Sequence, residues 1–247
     1  MTLLAAAVTF AFTVLLTIAG VGAAFILIPV FVALGIDLRA AMATALLLNA
    51  IAAAVASVRN VRKGLVDFRV AVPILVVASA LAPLGARASH GLDRRALLGL
   101  FVAFLAFAGG MMLFHRPKAR PAPATRQALV AWGTGLGAVA GFLGGLLGVG
   151  GGNVVVPVLV WLGFEPKRAS ATTSFVVVFS SLAGFLGHAT LGSLAPSLVV
   201  ATGAAAAAGA LAGSWLMTER LRGGQVRTVL GVVLLAIAVK MGWGLVR

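Results

Sequence analysis

The sequence predicts an all-α polytopic membrane protein of about eight hydrophobic segments, built as two inverted four-segment repeats. Three observations predict it. Of 247 residues, 62% are hydrophobic and only 10% charged, whereas a soluble domain runs about 45–50% apolar and about 25% charged. Eight apolar stretches follow one another, roughly at 3–34, 40–58, 68–86, 96–114, 127–163, 169–187, 194–218 and 226–246. The second half of the chain also repeats the first at a shift of 128 positions.

The stretches are helices. Most have the ~20 residues that cross a hydrocarbon core. Spanning strands would alternate polar and apolar residues over ~10 positions, and Ala201 to Ala212 shows no alternation. A helix satisfies its own backbone in lipid. The first stretch opens at Met1-Thr2-Leu3-Leu4 without a basic region, so it reads as the first membrane segment and not as a removable signal peptide. The chain has no cysteine, which excludes disulfides and thiolate metal sites.

The stretch His115-Arg116-Pro117-Lys118-Ala119-Arg120-Pro121-Ala122-Pro123 is polar and proline-rich. It reads as a linker, dividing repeat one (1–115) from repeat two (127–247) across 116–126. Shifting the first half by 128 sets Gly20-Val21-Gly22 on Gly148-Val149-Gly150, Pro29 on Pro157 and Gly35 on Gly163. Asp37 meets Glu165, Arg39 meets Lys167, and Thr44 meets Thr172. Eleven of the 25 positions from 20 to 44 are identical without a gap. Repeats of this kind are common in secondary transporters, where the substrate sits between the halves near the midplane.

Segments one and five carry glycine-rich breaks. The second copy reads Gly148-Val149-Gly150-Gly151-Gly152-Asn153 before Pro157; the first is eroded to Gly20-Val21-Gly22-Ala23-Ala24 before Pro29. Consecutive glycines hold a helix poorly, at about 1 kcal/mol each relative to Ala. In lipid such a break survives only inside protein or beside a cavity. Its freed N–H groups suit an anion. Gly22, Gly150, Gly151, Gly152 and Asn153 are therefore candidate substrate contacts. Gly133, Gly137, Gly141 and Gly145 recur every fourth residue and read instead as a packing seam.

The breaks decide topology. Eight simple crossings would put nine loop Lys and Arg on each side, with no orientation signal. If segments one and five turn back at their glycines, three crossings remain per half and the halves become inverted. Arg59, Arg62, Lys63, Arg69, Arg116, Lys118, Arg120, Arg126, Lys167, Arg168, Arg220, Arg222 and Arg227 then share one side. Arg39, Arg87, Arg94, Arg95 and Arg247 share the other. Thirteen against five is the bias that the positive-inside rule expects.

Polar residues deep in the segments are few, and each is a candidate. Segment two carries Thr44 and Asn49. Its counterpart carries Ser170, Thr172, Thr173 and Ser174, read as a cluster opening a helix, whose hydroxyls and free N–H groups donate together to an oxyanion. Asn60 and His188 occupy equivalent positions. Ser180 and Ser181 read as packing hydroxyls, and Lys240 as a snorkelling side chain. All five acids, Asp37, Asp67, Asp93, Glu165 and Glu219, fall in loops. A buried carboxylate relay is not expected, and neutral donors suit an anion better than a cation. The net charge of +14 belongs to loops that meet lipid and fix topology; no nucleic acid is expected. No metal, cofactor or catalytic constellation is expected either.

The glycine signature, duplication and length resemble the sulfite exporter TauE/SafE family, also called the toluene-sulfonate uptake permease family. Gly148-Val149-Gly150-Gly151-Gly152-Asn153-Val154-Val155-Val156-Pro157 carries the resemblance, with Gly163, Ala169 and Ala171-Thr172 following. It implies a multi-pass permease of the bacterial inner membrane that moves a small sulfur-containing oxyanion by alternating access. Its partners would be that anion and the bilayer, and a homo-oligomer is compatible with it. A channel-like anion pore and a membrane-embedded enzyme or assembly factor are the competing readings.

Overall fold

The computed structural model describes residues 2–19, 24, 27, 28, 31, 35, 36, 38–91, 93–114, 125–188 and 196–246. Nine helices run through them: α1 (Thr2–Ala19), α2 (Leu38–Arg62), α3 (Phe68–Ala88), α4 (Arg94–Phe114), α5 (Arg126–Leu146), α6 (Gly152–Trp161), α7 (Pro166–His188), α8 (Pro196–Trp215) and α9 (Gly223–Val246). Among the described residues there is no strand. Six helical stretches are long and apolar enough to cross a membrane. At the shift of 128, α1, α2, α3 and α4 fall on α5, α7, α8 and α9. Ala24, Leu27, Ile28 and Phe31, in the counterpart of α6, are also helical. Residues 116–124 of the 116–126 linker and the first glycine break at 20–23, with Gly22, lie outside the described residues.

Packing contacts fix the direction of each helix. Gly133, Gly137, Gly141 and Gly145 of α5 lie against Val70 and Pro73, then Ile74, Ala78 and Ala82 of α3, in that order. These two helices therefore run parallel. Along α7, Thr172 accepts from the Asp67 N–H, Phe175 meets Phe68, and Gly187 meets Pro83 and Ala86, so α7 is parallel to α3. On the other side, Gly209 and Gly213 of α8 meet Phe10 and Val14 of α1, and Gly203 meets Leu48 and Ile51 of α2. Helices α1, α2 and α8 thus form a second parallel set.

The two sets run opposite ways. Leu46 meets Gly184, and Asn49 bonds Ser181, which makes α2 and α7 antiparallel. Gly109 of α4 meets Leu235, and Gly242 of α9 meets Val102, so these are antiparallel as well. Helices α1, α2, α3 and α4 thus run opposite to their repeat counterparts α5, α7, α8 and α9. That relation is the two-fold axis in the membrane plane of an inverted repeat.

The loops agree. Arg59 and Lys63, ending α2, pair with Glu219 just past α8 at 3.1 and 2.8 Å. Lys167 Nζ, opening α7, donates to the Thr218 carbonyl at 3.4 Å. Eight simple crossings would separate these groups by the full bilayer. The inverted arrangement puts them on one basic face.

Helices α2 and α7 form the centre. Of their candidate spans, 72% and 61% are buried, against 33% for α3. The outer helices expose Val72, Val76, Phe107, Val200 and Val239, as a lipid-facing surface requires. The α3–α5 seam is close because Gly137, Gly141 and Gly145 leave no side chain between the backbones. A Cβ on Gly137 would stand 2.7 Å from the Ile74 carbonyl oxygen, and one on Gly145 would overlap that of Ala82.

Candidate functional site

Segment five is a hairpin. Helix α5 has the length of a crossing, but α7 runs parallel to it, so the chain must return between them. Helix α6 makes the return, and Trp161 at its end meets Trp132 of α5 at 6.1 Å between rings. The reversal uses Gly148, Gly150 and Gly151, with φ of 69°, 75° and 74°, a left-handed conformation that costs other residues about 1–2 kcal/mol. The end of α5 is a Schellman closure. The Val149 N–H donates to the Gly144 carbonyl at 2.9 Å, and the Gly148 N–H to the Gly145 carbonyl at 3.2 Å.

The hairpin tip enters the centre of the bundle. Gly150 lies against the side chains of Ser181 and Asn49. Its carbonyl accepts from Ser180 Oγ at 2.9 Å, and Asn49 Nδ2 donates to Ser181 Oγ at 2.8 Å. Asn49 is near the middle of α2, and the two serines lie one turn past the middle of α7. Helix α6 then starts at the tip. The first N–H groups of any helix have no partner within it. Here Gly151 supplies no side-chain cap, and the first intrahelical donors to its carbonyl are Val154 and Val155. Among the described residues, the N–H groups of Gly152 and Asn153 have no backbone acceptor. Asn153 is 1% exposed, and neither its Oδ1 nor its Nδ2 has a partner. A buried, unpaired amide costs about 1–3 kcal/mol.

Below the tip lies a narrow cleft lined by Thr17, Asn49, Ala52, Ala53, Ala56, Ser174 and Val177. It joins α1, α2 and α7. Among the described residues of the membrane helices, no carboxylate approaches it.

The structure thus brings Gly150, Gly151, Gly152, Asn153 and Asn49 together, with Ser174 on the cleft wall. The other candidates are distributed differently. Thr44 Oγ1 bonds back to the Ala40 carbonyl at 2.7 Å. The Ser170–Ser174 cluster does not open a helix: α7 begins at Pro166, so its N–H groups are already inside the helix. Its hydroxyls also divide. Ser170 donates to the Ile18 carbonyl, Thr172 accepts from the Asp67 N–H, and Ser174 donates to the Ser170 carbonyl. Only Thr173 Oγ1 is buried without a partner among them. They do not form one cradle.

Asn60 and His188 end antiparallel helices and therefore lie at opposite ends of the centre. His188 Nε2 donates to the Gly145 carbonyl at 2.8 Å. A carbonyl only accepts, so Nε2 carries the proton. This contact closes the C-terminal end of α5, where the helix dipole favours a donor. Ser180 and Ser181 bind the hairpin tip and its neighbour across the interface. Sequence reasoning set them aside because a serine on an apolar helix reads the same whichever partner it takes. Their counterparts Ala52 and Ala53 were the available signal, since the two copies differ there in polarity. Lys240 is exposed, as snorkelling requires.

A family model described as Sulfite exporter TauE/SafE matches residues 4–241. The chain belongs to the sulfite exporter TauE/SafE family. The family and the six long apolar helical stretches make it a multi-pass membrane protein. A probable membrane transporter, y4hK of Sinorhizobium fredii, is 27% identical over 211 residues, 81% of each chain. The probable membrane transporter YunE of Bacillus subtilis is 40% identical over 81 residues, 32% of this chain and 29% of that protein. Sulfite exporter TauE/SafE family protein 1 of Arabidopsis thaliana is 44% identical over 54 residues, 22% of this chain and 12% of that protein. The last two matches span less than a third of those relatives' length. No solved structure matches the TauE/SafE chain.

Proposed function

We propose that this TauE/SafE protein moves a small sulfur-containing oxyanion, such as sulfite, a sulfonate or sulfoacetate, by alternating access. One observation carries the reading. The hairpin tip presents the free N–H groups of Gly152 and Asn153 and the unpaired Asn153 amide, all buried at the bundle centre. These donors belong to the first turn of a helix, where the dipole stabilises an anion by up to ~2 kcal/mol when partly buried. Asn49, Ser180 and Ser181 complete the polar wall. A cation would meet no counter-charge there. Relatives named as sulfite exporter TauE/SafE family proteins support the sulfur oxyanion class.

The two parallel sets, α1–α2–α8 and α3–α5–α7, meet chiefly across α2 and α7. Rocking one set against the other would open the tip first to one face and then to the other. Each set takes helices from both repeats, and we read 1–115 and 127–247 as two copies joined by the 116–126 linker. The basic face would be cytoplasmic in a bacterial inner membrane by the positive-inside rule. Export of an anion from a negative interior then runs downhill by about 2.3 kcal/mol per charge per 100 mV.

Flux of sulfite and sulfoacetate into proteoliposomes tests the reading. Saturable flux that responds to membrane potential is the expected result. Unsaturable flux would favour a pore, and no flux of any sulfur oxyanion would remove the reading.

A further inference from the structure

The antiparallel register of α2 and α7 continues from the tip toward the basic face. Asn49 pairs with Ser181 and Leu46 with Gly184; carried forward, this register sets Ala53 opposite Val177 and Ala56 opposite Ser174, all four of which line the cleft. The next pair in this register is Ser57 with Thr173, and about one turn further comes Asn60 with Ser170. Ser57, Asn60 and Thr173 are 6%, 1% and 0% exposed. Among the described residues, the Oγ of Ser57, both amide atoms of Asn60 and the Oγ1 of Thr173 have no hydrogen-bond partner.

Such groups have an inexpensive alternative. Ser and Thr in membrane helices bond back to the carbonyl one turn earlier, as Thr44 and Ser174 do here. Ser57 and Thr173 do not take it. Each unpaired buried group costs about 1–3 kcal/mol, and these gather along one stretch of one interface.

The surroundings point to a charged visitor. Just outside this stretch stand Arg59, Arg62, Lys63, Lys167 and Arg168. The acids on that rim are Asp67, Glu165 and Glu219, and Glu219 is held by Arg59 and Lys63. Bases outnumber acids at the mouth, while the stretch itself holds neutral donors only. A positive mouth concentrates anions, and neutral donors inside replace part of their hydration without binding them too tightly to leave.

We propose that Ser57, Asn60 and Thr173 form a second anion station, on the access route from the basic face to the central cleft. The ligand is the oxyanion class of the reading above, on which this inference rests. The station accepts the anion from the mouth and hands it to the hairpin tip.

The natural chain has no cysteine, so Ser57→Cys, Thr173→Cys and the buried control Leu105→Cys each carry one thiol. A membrane-impermeant anionic methanethiosulfonate reagent is added from the basic face of oriented vesicles, with or without sulfoacetate, methanesulfonate or sulfate. The expected result is reaction at positions 57 and 173, slowed at least threefold by one or more of these anions, and none at 105. No reaction at 57 and 173, or reaction indifferent to all three anions, overturns the station. Wild-type flux of the same anions runs in parallel. Flux without protection removes the station and leaves transport standing; protection without flux keeps the station and removes transport. Thr173→Val adds a kinetic readout: KM for anion presented to the basic face should rise severalfold with kcat within about twofold. An unchanged KM would also overturn the station.

Discussion

Two helix contacts in this transporter differ in kind. Along the α3–α5 seam, Gly137, Gly141 and Gly145 lie directly on the α3 backbone, and Gly133 lies on the Pro73 ring. Across the α2–α7 contact, polar side chains interleave, a cleft opens beside Asn49, and several buried groups lack partners. Lipid offers no hydrophobic drive for helix association, so close backbone approach and dispersion hold the seam. The same solvent penalises unpaired polar groups, so the central contact is held at a cost that only use explains. A seam without gaps makes a rigid set. A polar interface with a cleft can exchange partners, which is why the proposed movement and binding are assigned to it.

Substitutions break or sharpen this contrast in decreasing order of effect. Gly141→Leu in the seam should abolish folding, because even its Cβ would overlap the Ala78 carbonyl. Overpacking costs about 1–3 kcal/mol and occasionally more, and here rigid backbone cannot yield. Size-exclusion chromatography in detergent should show no monodisperse protein. Well-folded protein would mean that the seam is looser than described.

At the tip, Gly150→Ala should separate fold from function. The positive φ costs about 1–2 kcal/mol, and the added methyl would meet Ser181 and Asn49. Protein should still be recovered, with flux falling at least ~30-fold, the equivalent of about 2 kcal/mol. Flux near the natural rate would detach the tip from transport.

Asn153→Leu should move stability and activity in opposite directions. It removes a buried, unpaired amide, so thermal unfolding in detergent should shift upward, by up to about 1–3 kcal/mol in stability. Flux should fall about tenfold, one lost hydrogen bond at about 1.4 kcal/mol. A fall in both would make Asn153 a packing residue. Ser180→Ala should have the smallest effect, about 1 kcal/mol for its bond to the Gly150 carbonyl, with flux reduced only a few-fold.

The sequence made much of this legible. The break at Gly148 to Gly152 and the inverted topology followed from glycine runs and from the sidedness of Lys and Arg, which are local features. The Gly133–Gly145 seam was legible from its spacing, though its partner α3 was not. What stayed hidden depends on register between distant helices. Nothing local joins Asn49 to Ser181, 132 residues away. The Ser170–Ser174 cluster was over-read because α7 starts at Pro166, four residues before the cluster, which consumes its N–H groups. Likewise, His188 binds Gly145 through a contact across 43 residues, which no residue-by-residue reading supplies.

The central claim is that the hairpin tip between α2 and α7 holds the transported oxyanion. Isothermal titration of purified wild-type and Asn153→Leu protein with sulfite, sulfoacetate and methanesulfonate tests it most directly. The account predicts saturable binding of at least one anion to the wild type, weakened about tenfold in Asn153→Leu while the protein stays folded. Equal affinity in both proteins, or no anion binding to the wild type, would contradict it.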